Sequence, residues 1–135
     1  MVLFNYELDF ELDDEARITE WIAACFEETD FTEGEINYIF CDDEYLHSLN
    51  VKYLDHDTLT DVISFDYTMG KLISGDIFIS VERVRENAID LGYTFEEELR
   101  RVMIHGVLHY MGYKDKTPEE KKIMREKEDE CLNLF

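Results

Sequence analysis

One proline in 135 residues, six glycines and three cysteines leave this chain with few breakers and nothing that reads as a staple. No proline- or glycine-rich stretch divides it, and its length suits one domain with a real core better than two. Cys25, Cys41 and Cys131 are odd in number, far apart and without a C-x-x-C pair, so buried free thiols are expected, in keeping with a cytoplasmic address. Long apolar runs are missing as well. The opening MVLFNYELDFELDDEAR alternates apolar and polar residues and turns acidic at once, which gives neither a membrane span nor an export signal.

Basic residues are the scarcest class for the chain's size. With 13 against 33 acids the net charge is -20, which taken alone argues against binding a polyanion and favours a monomer in solution. The shortage is uneven. Residues 1 to 70 carry 19 acids and only Arg17 and Lys52, net -17, whereas residues 71 to 135 carry 14 acids and 11 bases, net -3. An anionic substrate must therefore be handled by the C-terminal half.

Hydrophobic residues make up 45% of the chain, enough for a packed core. Residues 2 to 12 alternate Val2, Phe4, Tyr6, Leu8, Phe10 and Leu12 with polar neighbours, the period of a strand with one buried face. Asp13 and Asp14 can cap a helix in which Ile18, Trp21, Ile22, Cys25 and Phe26 recur at helical spacing. EINYIFC reads as a second strand. DDEYLHSLNVKYL reads as a second helix, capped by Asp42 or Asp43, with Tyr45, Leu46, Leu49 and Tyr53 on one side. TDVISFDY and SGDIFISV form a hairpin around Gly70. Helices follow over about 82–91, ended by Gly92, and 95–111, ended by Gly112. A last amphipathic helix opens with TPEE, where Thr117 caps, Pro118 takes the first position and Glu120 completes a capping box; its face is Ile123, Cys131 and Leu134. The expected fold is α+β: one domain over residues 1 to 135, in the order βαβαββααα, with a mixed sheet of about four strands packed with helices.

The chemistry concentrates in HGVLHYMGYKD, residues 105 to 115. His105 and His109 project from one helix face a turn apart, and Gly112 lets the backbone return so that residue 115 approaches them. Two such histidines alone can equally be packed core groups. Offsets 0, 4, 7 and 10 for two histidines, a glycine and a third ligand are, however, the layout of the metzincin zinc proteases, and make a zincin-like metal helix with His105, His109 and Asp115 as ligands the better reading. The glutamate that follows the first histidine in those proteases is Gly106 here, which counts against peptide hydrolysis.

The same stretch resembles the hallmark H-G-x-L-H-x-x-G-Y-D-H of the YbeY-type rRNA maturation factors, with matches at His105, Gly106, Leu108, His109, Gly112 and Tyr113. LNVKYLDHDTLTDVISFDY is similar to the family's L-N-x-x-Y-R … T-D-V-L-S-F segment at Leu49, Asn50, Tyr53, Thr60, Asp61, Val62, Ser64 and Phe65, and GDIFIS from Gly75 to its G-D-I strand. The likeness runs from about residue 46 to 125 and departs in four places. Asp115 stands where the family has a third histidine, Lys114 where aspartate precedes it, Leu54 where an arginine thought to meet RNA follows the tyrosine, and Leu59 where a proline precedes T-D-V.

The resemblance implies a metal-dependent, single-strand-directed endoribonuclease of the cytoplasm. It would act in rRNA processing at the 16S rRNA 3′ end and in ribosome quality control, with rRNA and the ribosome or its small subunit as partners. Two histidines and one aspartate remain a legitimate ligand set for a divalent ion, zinc first; the carboxylate lowers the site to roughly +1 and makes it more hospitable to harder ions. An ion with an open position can activate water and polarise a phosphoryl oxygen, and in RNA the 2′-hydroxyl offers a second nucleophile; neither route needs the missing glutamate. If Asp115 is not the third ligand, His47 and His56 are the spare histidines. Arg83, Arg85, Arg100, Arg101, Lys114 and Lys116 are the bases that could track a phosphate backbone. Asp61 and Asp76 read as a turn cap and a hairpin-closing acceptor of backbone amides, Ser64 as a family match at a strand, and Trp21, Tyr45 and Tyr53 as core rather than a base-stacking platform. Two other functions stay open: a zincin-like metallopeptidase, and a non-catalytic metal-stabilised ribosome-binding factor whose acidic surface meets a basic ribosomal protein.

Overall fold

The alternation at the start of the chain becomes a strand, but a short one, β1 (Val2–Tyr6). In this computed structural model, which describes residues 1–54 and 60–135, β1 lies at a sheet edge and pairs with β2 (Thr32–Cys41) in parallel from Val2↔Ile36 to Tyr6↔Phe40. Glu7 still donates its N–H to Phe40 O, and there the partner runs out. Leu8, Phe10 and Leu12 keep the apolar period without a ladder, because they pack onto the core as a surface strap.

The remaining elements are α1 (Glu15–Phe26), α2 (Asp43–Leu54), β3 (Val62–Asp66), β4 (Leu72–Ser80), α3 (Val81–Leu91), α4 (Phe95–Tyr110) and α5 (Pro118–Leu132), in the expected order. The four strands form one mixed sheet, β1-β2-β4-β3, with β2 and β4 parallel and β3 and β4 an antiparallel hairpin around Gly70, whose φ of 60° suits glycine. This is the expected single-domain α+β fold.

Each helix begins where the sequence supplies an acceptor. Asp14, Ser80, Thr94 and Thr117 each take the backbone N–H three residues on, Asp42 Oδ1 takes that of Tyr45, and Thr117 with Glu120 completes the capping box. Ile36, Tyr38 and Phe40 of β2 and Ile73, Ile77 and Ile79 of β4 form one face of the sheet, buried with Ile18, Trp21, Ile22, Cys25 and Phe26 of α1 and Met103, Ile104 and Val107 of α4. All three cysteines are free and buried, as expected. The other face is thinner: Cys41, Leu46 and Ile63 are buried there, with Leu49, Phe65 and Phe78 packed against them.

Two expectations about helix faces fail. Tyr45 and Tyr53 are exposed and only flank the aromatic rings of the sheet, Tyr45 stacked on Phe78 and Tyr53 edge-on to Phe65; Trp21 alone of the three aromatics is core. The buried face of α5 is Met124, Glu128 and Cys131, with Ile123 and Leu134 exposed. A glutamate at the centre of that stripe hid it from a reading based on hydrophobicity.

Candidate metal centre

Nearly the whole circumference of α4 is buried, from Leu99 and Val102 through Gly106, Val107 and Leu108 to Tyr110, and His105 and His109 occupy the half-buried strip left over. Their rings meet edge to face with centroids 4.6 Å apart. Beyond Met111 the backbone turns at Gly112, whose φ of 104° few other residues adopt, while Gly112 N–H bonds His109 O and Tyr113 N–H returns to Leu108 O. The turn brings Asp115 Oδ2 to 3.2 Å from His105 Nε2 and 3.3 Å from His109 Nε2.

Those separations fit an ion. With zinc–ligand bonds near 2.0–2.2 Å, the donor–donor edge of a tetrahedral shell is about 3.3 Å. The three donor atoms lie within 4.8 Å of one another and form the one such group among the described residues. The side chains are 23%, 33% and 39% exposed for His105, His109 and Asp115, so the group is anchored on α4 and open on its outer side. His47 lies on α2 and does not join the group, and His56 falls outside the described residues.

Gly106 has a structural reason of its own. A Cβ there would stand 2.8 Å from Ile77 Cδ1, so position 106 faces β4 and not the donors. A glutamate at this point would be driven into the sheet.

Behind the site is a polar layer that the ligand pattern did not announce. His105 Nδ1 lies 2.6 Å from Oε2 of Glu128, buried on α5, and Glu128 Oε1 accepts from Arg101 Nη1 at 2.9 Å. Burial opposes charge on His105, but the Glu128 hydrogen bond, with the charges of Glu128, Asp115 and Asp61, outweighs it and holds the ring above its ordinary pKa. Burial pushes the Asp61 carboxyl up, against the favourable field of His105, the side chain of Asn87 and the backbone amides of Asp61 and Val62. The signal that could have found Glu128 was an acid four residues after Met124 and three before Cys131, inside an otherwise apolar stripe.

The other candidates separate by partner. Among the described residues Asp76 takes no backbone amide: it pairs across the sheet with Asn37 Nδ2 at 2.9 Å and meets Tyr67 OH, because its register places it opposite Asn37. Tyr110 OH, adjacent in sequence to His109, donates to the carbonyls of Phe65 and Asp76 and ties α4 to the hairpin, with Ser64 also against it. Arg83 is taken by Asp43 and Glu86, and Arg101 by Glu128 and Asp129. Arg85 lies over Phe95, and Arg100 shares the Phe135 ring with Arg17, all lining a separate cleft of about 320 Å³. Lys114 and Lys116 remain exposed on either side of Asp115. Among the described residues no helix is long and apolar enough to cross a membrane.

Comparison with known proteins agrees with this geometry. The family described as endoribonuclease YbeY matches residues 5–135. The endoribonuclease YbeY of Flavobacterium johnsoniae is 61% identical over 135 residues, covering 100% of this chain and 97% of the relative, and that of Cytophaga hutchinsonii is 46% identical over 132 residues, covering 97% and 92%. The solution structure of TM1509 from Thermotoga maritima superposes with a TM-score of 0.70 at 27% identity, over 99% of this chain and 88% of that one. The chain belongs to the endoribonuclease YbeY family.

Proposed function

We propose that residues 1–135 work as one metal-dependent endoribonuclease domain, with His105, His109 and Asp115 holding a divalent ion, zinc first, and single-stranded rRNA as substrate. Its place is rRNA maturation, including the 16S rRNA 3′ end, and ribosome quality control, in the cytoplasm, as a monomer working on the ribosome or its small subunit. The observation that carries the reading is Asp115 Oδ2 standing 3.2 and 3.3 Å from the two histidine nitrogens in a chain whose relatives are named endoribonucleases.

When bound, the ion supplies Lewis acidity at the scissile phosphoryl oxygen. The protein's part is to fix the donors. The α4 backbone sets the spacing of His105 and His109, and Gly112 sets the approach of Asp115. Asp115 also offsets one positive charge of the ion. Lys114 and Lys116, the exposed cations flanking Asp115, are placed to meet the substrate's phosphates, a role that Arg83 and Arg101, already ion-paired, are not free to take. The orientation of Gly106 toward Ile77 speaks against a peptidase, because no general base can reach the donors from the position that peptide hydrolysis uses.

The test offers purified protein, with and without chelator, labelled single-stranded rRNA precursor and casein side by side. The expected result is RNA cleavage that needs metal, untouched casein, and losses of both metal and cleavage in His105→Ala, His109→Ala and Asp115→Ala. Cut casein would restore the peptidase. If neither substrate is cut at low ionic strength, where phosphate contacts are strongest, while rRNA ends stay unprocessed in cells lacking the protein, the non-catalytic ribosome-binding factor replaces this reading.

A further inference from the structure

An imidazole that gives one nitrogen to an ion must carry its proton on the other, and what that proton meets decides how firmly the ring is aimed. His105 turns Nε2 to Asp115, which leaves Nδ1 against Oε2 of Glu128 at 2.6 Å. His109 has no comparable orienting partner among the described residues. Glu128 is 5% exposed, and a carboxylate so buried is costly unless every oxygen is satisfied. Both are: Oε2 by His105, Oε1 by Arg101 Nη1 at 2.9 Å, while Arg101 Nη2 reaches Asp129 Oδ1 at 2.8 Å. The guanidinium fork thus grips two successive residues of α5. Arg101 and His105 are four apart on α4, one above the other, so Glu128 docks between them like a bolt from the neighbouring helix.

We propose that Glu128, clamped by Arg101, is a positioning residue for the metal centre: it fixes His105 as the Nδ1–H tautomer, aims Nε2 at the ion, and makes ion affinity depend on the docking of α5. This rests on the ion being held by His105, His109 and Asp115, as argued above. The carboxylate also raises the basicity of the ring it accepts from, which helps a ligand set that lacks a third histidine.

The experiment is a competition titration with zinc and a chromophoric chelator on wild type, Glu128→Ala, Glu128→Gln and Arg101→Met. Thermal melts of the metal-free proteins run beside it, with imidazole nitrogen NMR of the wild type and Glu128→Gln. Loss of an orienting partner of this kind typically costs 10–100-fold in metal affinity, the fall expected of Glu128→Ala. Glu128→Gln keeps an oxygen for the Nδ1 proton and should fall less than about tenfold, and Arg101→Met should lie between the two. The wild-type spectrum should show His105 protonated at Nδ1. Affinity within twofold of wild type in a folded Glu128→Ala, or a neutral His105 ring protonated at Nε2 alone, would overturn the inference. If Glu128→Ala does not fold, unchanged affinity in both remaining variants overturns it as well. A wild type that binds no zinc sinks the metal reading itself, a different result from a wild type that binds and a variant that binds equally.

Discussion

Helices α4 and α2 contact the β3–β4 hairpin, and in sequence both look like core helices. α4 buries nine residues, among them Met103, Ile104 and Val107 at no measurable exposure, and is itself covered by α5. α2 buries Leu46 and Asn50 and leaves Tyr45, Val51 and Tyr53 at 39%, 45% and 56% exposure, and among the described residues no helix covers it as α5 covers α4. The spacing of apolar residues says which side of a helix is apolar, but only a second layer decides whether that side becomes interior. Two of the three candidate donors, His105 and His109, sit on the helix that has the second layer. A ligand must be held to a few tenths of an ångström, and rigidity of that kind comes from packing on both sides.

The comparison is broken most forcefully from within α4. Met103→Ala removes a fully buried side chain between sheet and helix and should cost about 2–5 kcal/mol in chemical denaturation, whereas Leu46→Ala, in the thinner cluster under α2, should fall near the lower end, about 2 kcal/mol. Equal losses would mean that the two faces share one cooperative core. Next comes Gly106→Ala. Its new methyl must displace the far end of the Ile77 side chain, which can turn away, so a loss of about 1–3 kcal/mol is expected with zinc binding retained. Loss of zinc at unchanged stability would show that position 106 faces the donors after all.

What the sequence disclosed, and what it hid, follows the same division. Caps, the hairpin glycine and the order of elements were legible because each depends on a few neighbouring residues, as Thr117 with Glu120 or Gly112 with His109 illustrate. The convergence of His105, His109 and Asp115 was legible because one helix and one turn fix their spacing. Glu128 was not, since its value lies in meeting Arg101 and His105 across 27 and 23 residues, a contact that only the packing of α5 on α4 creates. Tyr45 and Tyr53 were misread for the converse reason: their spacing is helical, and nothing local tells that they stay exposed. β1 stopped at Tyr6 because its neighbour β2 stops at Cys41, a limit written in another segment.

A smaller effect probes the polar part of the buried face of α4. Glu98 is 6% exposed, and its Oε1 has no hydrogen-bond partner among the described residues. Burial, and then the charge of Asp61, raise its pKa. A carboxyl whose folded pKa exceeds its unfolded one holds its proton more tightly when folded, so stability is lost as pH climbs from the ordinary glutamate range through the raised value. Glu98→Gln removes that loss. The variant should be more stable than wild type at neutral pH, with the advantage shrinking as pH falls toward the ordinary glutamate range, read from urea midpoints across that interval. An advantage that grows on acidification would reverse the sign and point to a charge that the folded protein favours.

The smallest effect belongs to α2. Tyr53→Ala and Tyr45→Ala each remove a ring that only flanks Phe65 or Phe78, and exposed positions of this kind change stability by within about 0.5 kcal/mol. Cleavage should be equally indifferent. The half of the chain that carries α2, residues 1 to 70, has a net charge of -17, a surface that repels a phosphate backbone before any base can stack. The expected result is a KM for single-stranded RNA within twofold of wild type in both variants, while Lys114→Ala and Lys116→Ala raise it and flatten its salt dependence. A several-fold rise in KM for Tyr53→Ala at unchanged melting temperature would carry the RNA path across the thin face of the sheet. The exposed tyrosines would then be a stacking platform, and the missing second layer over α2 a feature of the substrate's route instead of an unfinished core.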